Sequence, residues 1–96
     1  MAGGDEKTGD LDLGEIRERI NAIDERIQGL INDRAKIAQQ VGIAKGELAS
    51  AVDYYRPERE AEVLRKVLDR NDGPMRDEEM LRLFREIMSA CLAQQE

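Results

Sequence analysis

At 96 residues, with 41% hydrophobic content and three aromatics (Tyr54, Tyr55 and Phe84), the chain has room for one small domain with a core of Leu, Ile, Val and Met. Acidic residues outnumber basic ones by 21 to 15, and the resulting net charge of −6 repels both nucleic acid and anionic membranes. There is no histidine and one cysteine, Cys91, which excludes an internal disulfide, the usual metal sites and His-based nucleophilic triads. The expectation is therefore no metal and no cofactor, with a function that is either binding or a catalysis needing neither. No apolar run approaches about 18 residues and the N-terminus lacks a signal-peptide core, which reads as a soluble, cytoplasmic protein.

Taken in order, residues 1–11 carry Gly and charge with no burial pattern and read as a disordered tail, leaving 12–96 as a single domain. Asp12, with Glu15 three residues on, is a candidate N-cap for a first helix. From there the apolar stripe Leu13, Ile16, Ile20, Ile23, Ile27, Leu30, Ile37, Val41, Ala44, Leu48 advances in steps of three and four, broken only by Arg34. A helix from Leu13 to Leu48 spans about 54 Å at 1.5 Å per residue. A compact globule of this size is only about 32 Å across, so the chain cannot cover that helix by itself. Gly29 and Gly42 inside it each cost about 1 kcal/mol of helix propensity and mark possible close approaches of another backbone or a ligand.

The segment Ala49 to Arg56 is less regular, and Pro57 suits the first turn of a second helix, Pro57 to Arg70, that buries Ala61, Leu64, Val67 and Leu68. Asn71-Asp72-Gly73-Pro74 is a stop signal. Asp77 then caps a third helix whose inner face is Met80, Phe84, Ile87, Met88 and Cys91. That helix reaches Gln95 and Glu96 without a C-cap, a pattern expected either where more polypeptide follows or where a helix frays at a true terminus. The fold class is all-α, with three helices per protomer and one very long first helix.

Each helix carries a polar residue in its apolar stripe: Arg34 in the first, Glu60 one turn before Leu64 in the second, Gln95 one turn beyond Cys91 in the third. Each is costly to bury without a partner. A snorkelling or register-setting residue accounts for any one of them, but less easily for one per helix. Arg34 and Lys45, eleven residues apart, fall within about 20° of one helix face and about 16 Å of each other along the axis, so their side chains can converge on one small anion. Arg17 is about 25 Å from Arg34 along that axis. It can join the same site only from a second subunit whose long helix pairs antiparallel. A solvated lysine near a helix C-terminus and a surface arginine are the plain alternatives for Lys45 and Arg17.

The runs Ile16-Arg17-Glu18-Arg19-Ile20, Asp33-Arg34, Val41-Gly42-Ile43-Ala44-Lys45, Arg59-Glu60-Ala61-Glu62-Val63-Leu64 and Cys91 to Gln95 together resemble the all-helical class of chorismate mutases, over roughly residues 13–95. No single run is diagnostic, but their order and spacing agree across all three helices. The resemblance implies an intertwined helical homodimer with two active sites that converts chorismate to prephenate, so that residues 12–96 would be a chorismate mutase domain. It implies that Arg34, with Arg17 supplied in trans, binds the substrate carboxylates and that Arg59 supports this basic cluster. Lys45 and Gln95 would donate to the ether oxygen of the breaking bond, and Glu60 would accept from the ring hydroxyl. Arg56 stands where an acidic residue is usual, and Cys91 where a serine contacts a carboxylate. Cys is the weaker donor, and a small buried core residue is an equal reading of Cys91. Two alternatives share the pattern: an isochorismate pyruvate lyase-like enzyme of the same fold, and a non-catalytic helical dimerisation module.

Overall fold

The computed structural model describes residues 12–45 and 56–94, and among them every regular element is helical. The helices are α1, Leu13–Lys45, α2, Pro57–Arg70, and α3, Asp77–Ala93. The chain forms two compact units, Met1–Asn32 and Asp33–Glu96.

In the first unit α1 opens as expected. The carbonyl of Asp12 accepts the first helical bond from Ile16 N–H at 3.1 Å, and its Oδ1 accepts the Gly14 N–H at 3.4 Å, which satisfies a donor that a helix start otherwise leaves without a partner. The aliphatic stripe is present but uncovered: Leu13, Ile20, Ile23, Ile27 and Leu30 are all exposed, Leu30 at 66%. A Cβ added at Gly29 would meet open space, so no close backbone approach within the described chain explains that glycine.

In the second unit α2 packs against α3. Among the described residues each helix contributes one buried apolar residue: Ala38 from α1, Val67 from α2 and Cys91 from α3. The side of α1 that is withdrawn from solvent here is Ala35, Ala38 and Gly42, while Ile37 and Val41 of the predicted stripe stay exposed. The stripe is thus left uncovered by its own chain, as the length of the helix requires, and a separate face of small residues is the one withdrawn from solvent. Small side chains on the neighbouring face allow other elements to approach it closely.

The face of α2 is also rotated from the one expected. Glu60, Val63, Leu64, Val67 and Asn71 are withdrawn from solvent, whereas Ala61 and Leu68 are exposed. On α3 the expected inner face of Met80, Phe84, Ile87, Met88 and Cys91 is the observed one. The α2–α3 connection is held by Asn71. Its N–H bonds the Leu68 carbonyl at 3.2 Å, and its Nδ2 donates to the Met75 carbonyl at 3.0 Å and to Asp77 Oδ1 at 2.7 Å.

With Asp77 engaged by Asn71, the N-cap of α3 is Arg76 rather than Asp77. Arginine offers no acceptor, so half of a capping box forms: Glu79 accepts the Arg76 N–H at 3.3 Å and its guanidinium at 3.1 Å. Those bonds, the guanidinium's first, hold the Glu79 carboxyl below its ordinary pKa. At the other end α3 does not run on uncapped. Gln94 closes it, its N–H returning to the Cys91 carbonyl at 3.0 Å. The expected tail 1–11, the last turn of the first helix at 46–48 and residues 49–55 lie outside the described residues.

Candidate active site

The candidate site residues sit on all three helices, and the helix starts determine how several of them are presented. Arg56 is the N-cap of α2, in extended conformation, with Pro57 supplying the preset φ of the first turn. Its carbonyl accepts the Glu60 N–H at 3.0 Å, so the first hydrogen bond of α2 fixes the residue expected to meet a substrate hydroxyl. Glu60 is half-buried on the inner face of α2. The Arg56 side chain is exposed and only loosely paired, with Nε 3.9 Å from Glu58.

Arg59 is turned along its own helix. Its guanidinium bonds Glu62 at 2.8 Å, and Lys66 approaches the other Glu62 oxygen at 3.6 Å. The Arg59 hydrogen bond, followed by the charge of Lys66, lowers the Glu62 pKa. Arg59 thus engages a local carboxylate on an exposed surface, whereas the resemblance gives it a supporting role in a basic cluster.

Arg34 is half-buried on α1, one turn before buried Ala38. Arg17 lies in the first unit on an exposed position of the same helix. Lys45 is the last residue of α1. Cys91 is a free thiol, 3% exposed, in the last turns of α3. Gln95 lies outside the described residues, next to Gln94. That neighbour carries a contact to which the sequence reading gave no role: Gln39 Nε2 on α1 donates to Gln94 Oε1 at 3.4 Å. Two exposed glutamines 55 positions apart leave no periodic trace by which sequence reading could pair them. A shallow open concavity lined by Asp24, Ile27, Gln28, Ile31 and Asn32 contains none of the candidate residues.

Among the described residues no group of three His, Cys, Asp or Glu side chains could hold a metal ion, and no helix is long and apolar enough to cross a membrane. The candidate residues offer arginine and lysine for anions, a half-buried carboxylate at Glu60 and a buried thiol at Cys91, and no side-chain hydrogen bond or ion pair among the described residues joins them to one another.

Residues 16–96 match the family model for chorismate mutase type II. The chain belongs to the chorismate mutase type II family. It is 51% identical over 84 residues to the bifunctional chorismate mutase/prephenate dehydratase of Stutzerimonas stutzeri and 48% identical over 84 residues to that of Pseudomonas aeruginosa. It is 38% identical over 86 residues to the protein of the same name from Aquifex aeolicus. These alignments take 84%, 84% and 85% of this chain but 23% of each relative, so the chain spans about a quarter of the length of the curated relatives it matches. As a chorismate mutase type II domain, the chain has the all-α, three-helix organisation expected from its periodicity. The match runs through every candidate position from Arg17 to Gln95.

Proposed function

We propose that residues 12–96 form a catalytic domain that converts chorismate to prephenate. The observation that carries this reading is the family match over residues 16–96. The placement of Arg34 and Glu60 supports it, since each is half-buried on the side of its helix that is withdrawn from solvent, where a charged group can meet a polar ligand without being fully desolvated. A [3,3] rearrangement breaks a C–O bond and forms a C–C bond in one concerted step, with no nucleophile, metal or net proton transfer. The chain's task is to hold the folded conformer and stabilise the negative charge that grows on the ether oxygen. In this reading Arg34 and Arg17 of the partner subunit bind the two carboxylates. Lys45 and Gln95 donate to the ether oxygen, and Glu60 accepts from the ring hydroxyl. Arg59 adds positive potential once it exchanges Glu62 for substrate. The Arg56 carbonyl, which already orients Glu60, and the Cys91 thiol complete the lining.

The second part of the proposal is the homodimer. The uncovered stripe from Leu13 to Val41 is a long apolar surface of the kind that soluble proteins bury against a partner. A second copy pairing antiparallel would cover it and bring its Arg17 to the Arg34 end of the site.

Incubation with chorismate, following loss of its ultraviolet absorbance and identifying the product, tests the reaction. Prephenate is expected; release of pyruvate from isochorismate, supplied in a parallel incubation, without prephenate from chorismate would favour the lyase reading, and no turnover of either by a folded dimer would favour a dimerisation module. Mixing inactive Arg17→Ala with inactive Lys45→Ala subunits tests the shared site. Each heterodimer then holds one site with both defects and one with neither. About a quarter of the parent activity should return, and none would return if each site came from one chain.

A further inference from the structure

We propose that the Arg56 side chain is a specificity-determining cation that draws the dianionic substrate to the site from the start of α2. Arg56 is a poor N-cap. Arginine has no acceptor for the N–H groups of the first turn, no side-chain bond caps α2, and a cation there stands against the positive end of the helix. At the start of α3 the same residue type is accommodated, because Glu79 stands three residues on and takes the Arg76 guanidinium at 3.1 Å. The equivalent position of α2 is Arg59, whose guanidinium is instead 2.8 Å from Glu62. The pair of Arg56 with Glu58, at 3.9 Å and exposed on both sides, contributes little. The local stability of α2 therefore does not account for a cation at position 56.

Its placement does. Arg56 lies one turn before Glu60, about 40° away around the helix axis, and its carbonyl accepts the Glu60 N–H at 3.0 Å. It is thus in line with Glu60, Val63 and Val67 on the side of α2 that is withdrawn from solvent, while its own side chain stays exposed. The Glu60 carboxylate and a net charge of −6 both repel a substrate with two carboxylates. A hydrated cation one turn from Glu60 offsets that repulsion at the site itself. Its effect falls on capture of the substrate and not on the charge that develops as the C–O bond breaks.

The role rests on the mutase reading, and Arg56→Ser separates the two. Serine is a preferred N-cap, so the melting temperature should rise. A unit cation about 8 Å from a dianion in water-like surroundings changes its affinity about three- to sixfold at low ionic strength and about 1.3-fold at about 0.5 M salt. The kcat/KM of Arg56→Ser for chorismate should therefore lie about three- to sixfold below the parent's at about 20 mM salt and within about 1.5-fold of it at about 0.5 M, with the loss in KM and kcat within about twofold. Arg56→Lys keeps the charge and should keep the parent's kcat/KM within about twofold at low salt. Arg85→Gln removes the same unit of charge from an exposed position of α3 and should change kcat/KM by less than about 1.5-fold. No loss in Arg56→Ser at low salt, a loss that persists at high salt or falls on kcat, an equal effect of Arg85→Gln, no rescue by Arg56→Lys, or a lowered melting temperature would each overturn the role of Arg56 while leaving the mutase reading in place. A parent chain that does not turn over chorismate would overturn both.

Discussion

Leu30 offers a direct test of what the uncovered stripe is for. It is 66% exposed in the single chain, the most exposed of the large stripe residues among the described ones. Fully burying a leucine side chain is worth about 1.5 to 3 kcal/mol, so covering the remaining two-thirds would contribute about 1 to 2 kcal/mol per subunit. A twofold interface uses the residue twice, giving about 2 to 4 kcal/mol per dimer. At about 1.4 kcal/mol per decade, Leu30→Ala should raise the dimer dissociation constant by about 30- to 700-fold. The exchange leaves the helix intact, because Ala has the higher helix propensity. Leu83→Ala, at a 47% exposed position of α3 outside the stripe, is the control and should leave association unchanged. Sedimentation equilibrium over a wide concentration range reads the shift. Activity measured over the same range should fall and recover in step with dimerisation, since in the proposed dimer each site takes its Arg17 from the second subunit. Equal dissociation constants for the parent and Leu30→Ala, or an equal effect of the control, would refute the assignment of the stripe to the dimer.

Arg34→Leu extends the aliphatic pattern of α1, so it should preserve or raise the melting temperature while abolishing turnover; loss of folding with activity would make Arg34 structural. Gln95→Glu should be poorly active at neutral pH and recover towards about pH 5, because a carboxyl donates only when protonated whereas the amide donates throughout. A profile matching the parent's from about pH 5 to 8 would remove Gln95 from the transition state. Glu79, whose folded pKa is depressed by its bonds to Arg76, contributes stability that is present above its ordinary value of 4.5 and lost as pH falls through the lower folded value. Melting curves of Glu79→Gln between about pH 6 and 3 should therefore lose less stability on acidification than the parent's.

How far the sequence could be read differs from helix to helix for physical reasons. The span of α2 and the start of α1 were legible because local chemistry decides them: Pro57 has its φ preset, and the Asp12 carboxylate finds a free helix-start N–H. The inner face of α3 was legible because its apolar residues are large and its polar face is plain. The cap at Asp77 was misassigned because Asn71, six residues away, takes that carboxylate, a competition that no local pattern reveals. On α2 the choice of Ala61 and Leu68 over Val63 was a matter of about one residue of rotation. Periodicity does not fix that rotation; packing against α3 does. The polar positions Arg34 and Glu60 were visible as interruptions of apolar stripes, and both are half-buried. The Gln39–Gln94 contact was invisible because neither residue interrupts anything.

On α1 the stripe was legible, and the second, smaller-residue face beside it was not. Hydropathy identifies a surface that will be covered, and it does not say by what. On α1 two such surfaces lie side by side. Ala35, Ala38 and Gly42 are withdrawn from solvent within the chain's own second unit, and the larger Leu30, Ile37 and Val41 remain exposed. At about 100° per residue, Arg34 is about 40° from Ala38 and about 60° from Ile37, on the boundary between them. In the proposed dimer that boundary is where the chain's own helices and the second subunit meet. A cation there can face a cavity that belongs to neither subunit alone, while the apolar stems of its neighbours pack on both sides. A position deeper in either face would desolvate the guanidinium without offering an anion, and one on the outer face would leave it in water, where salt and hydration weaken its hold on a carboxylate. On this reading the interruption of the stripe and the need for two chains have one cause: the site is built at a seam, and Arg34 is the residue of α1 that the seam exposes to substrate.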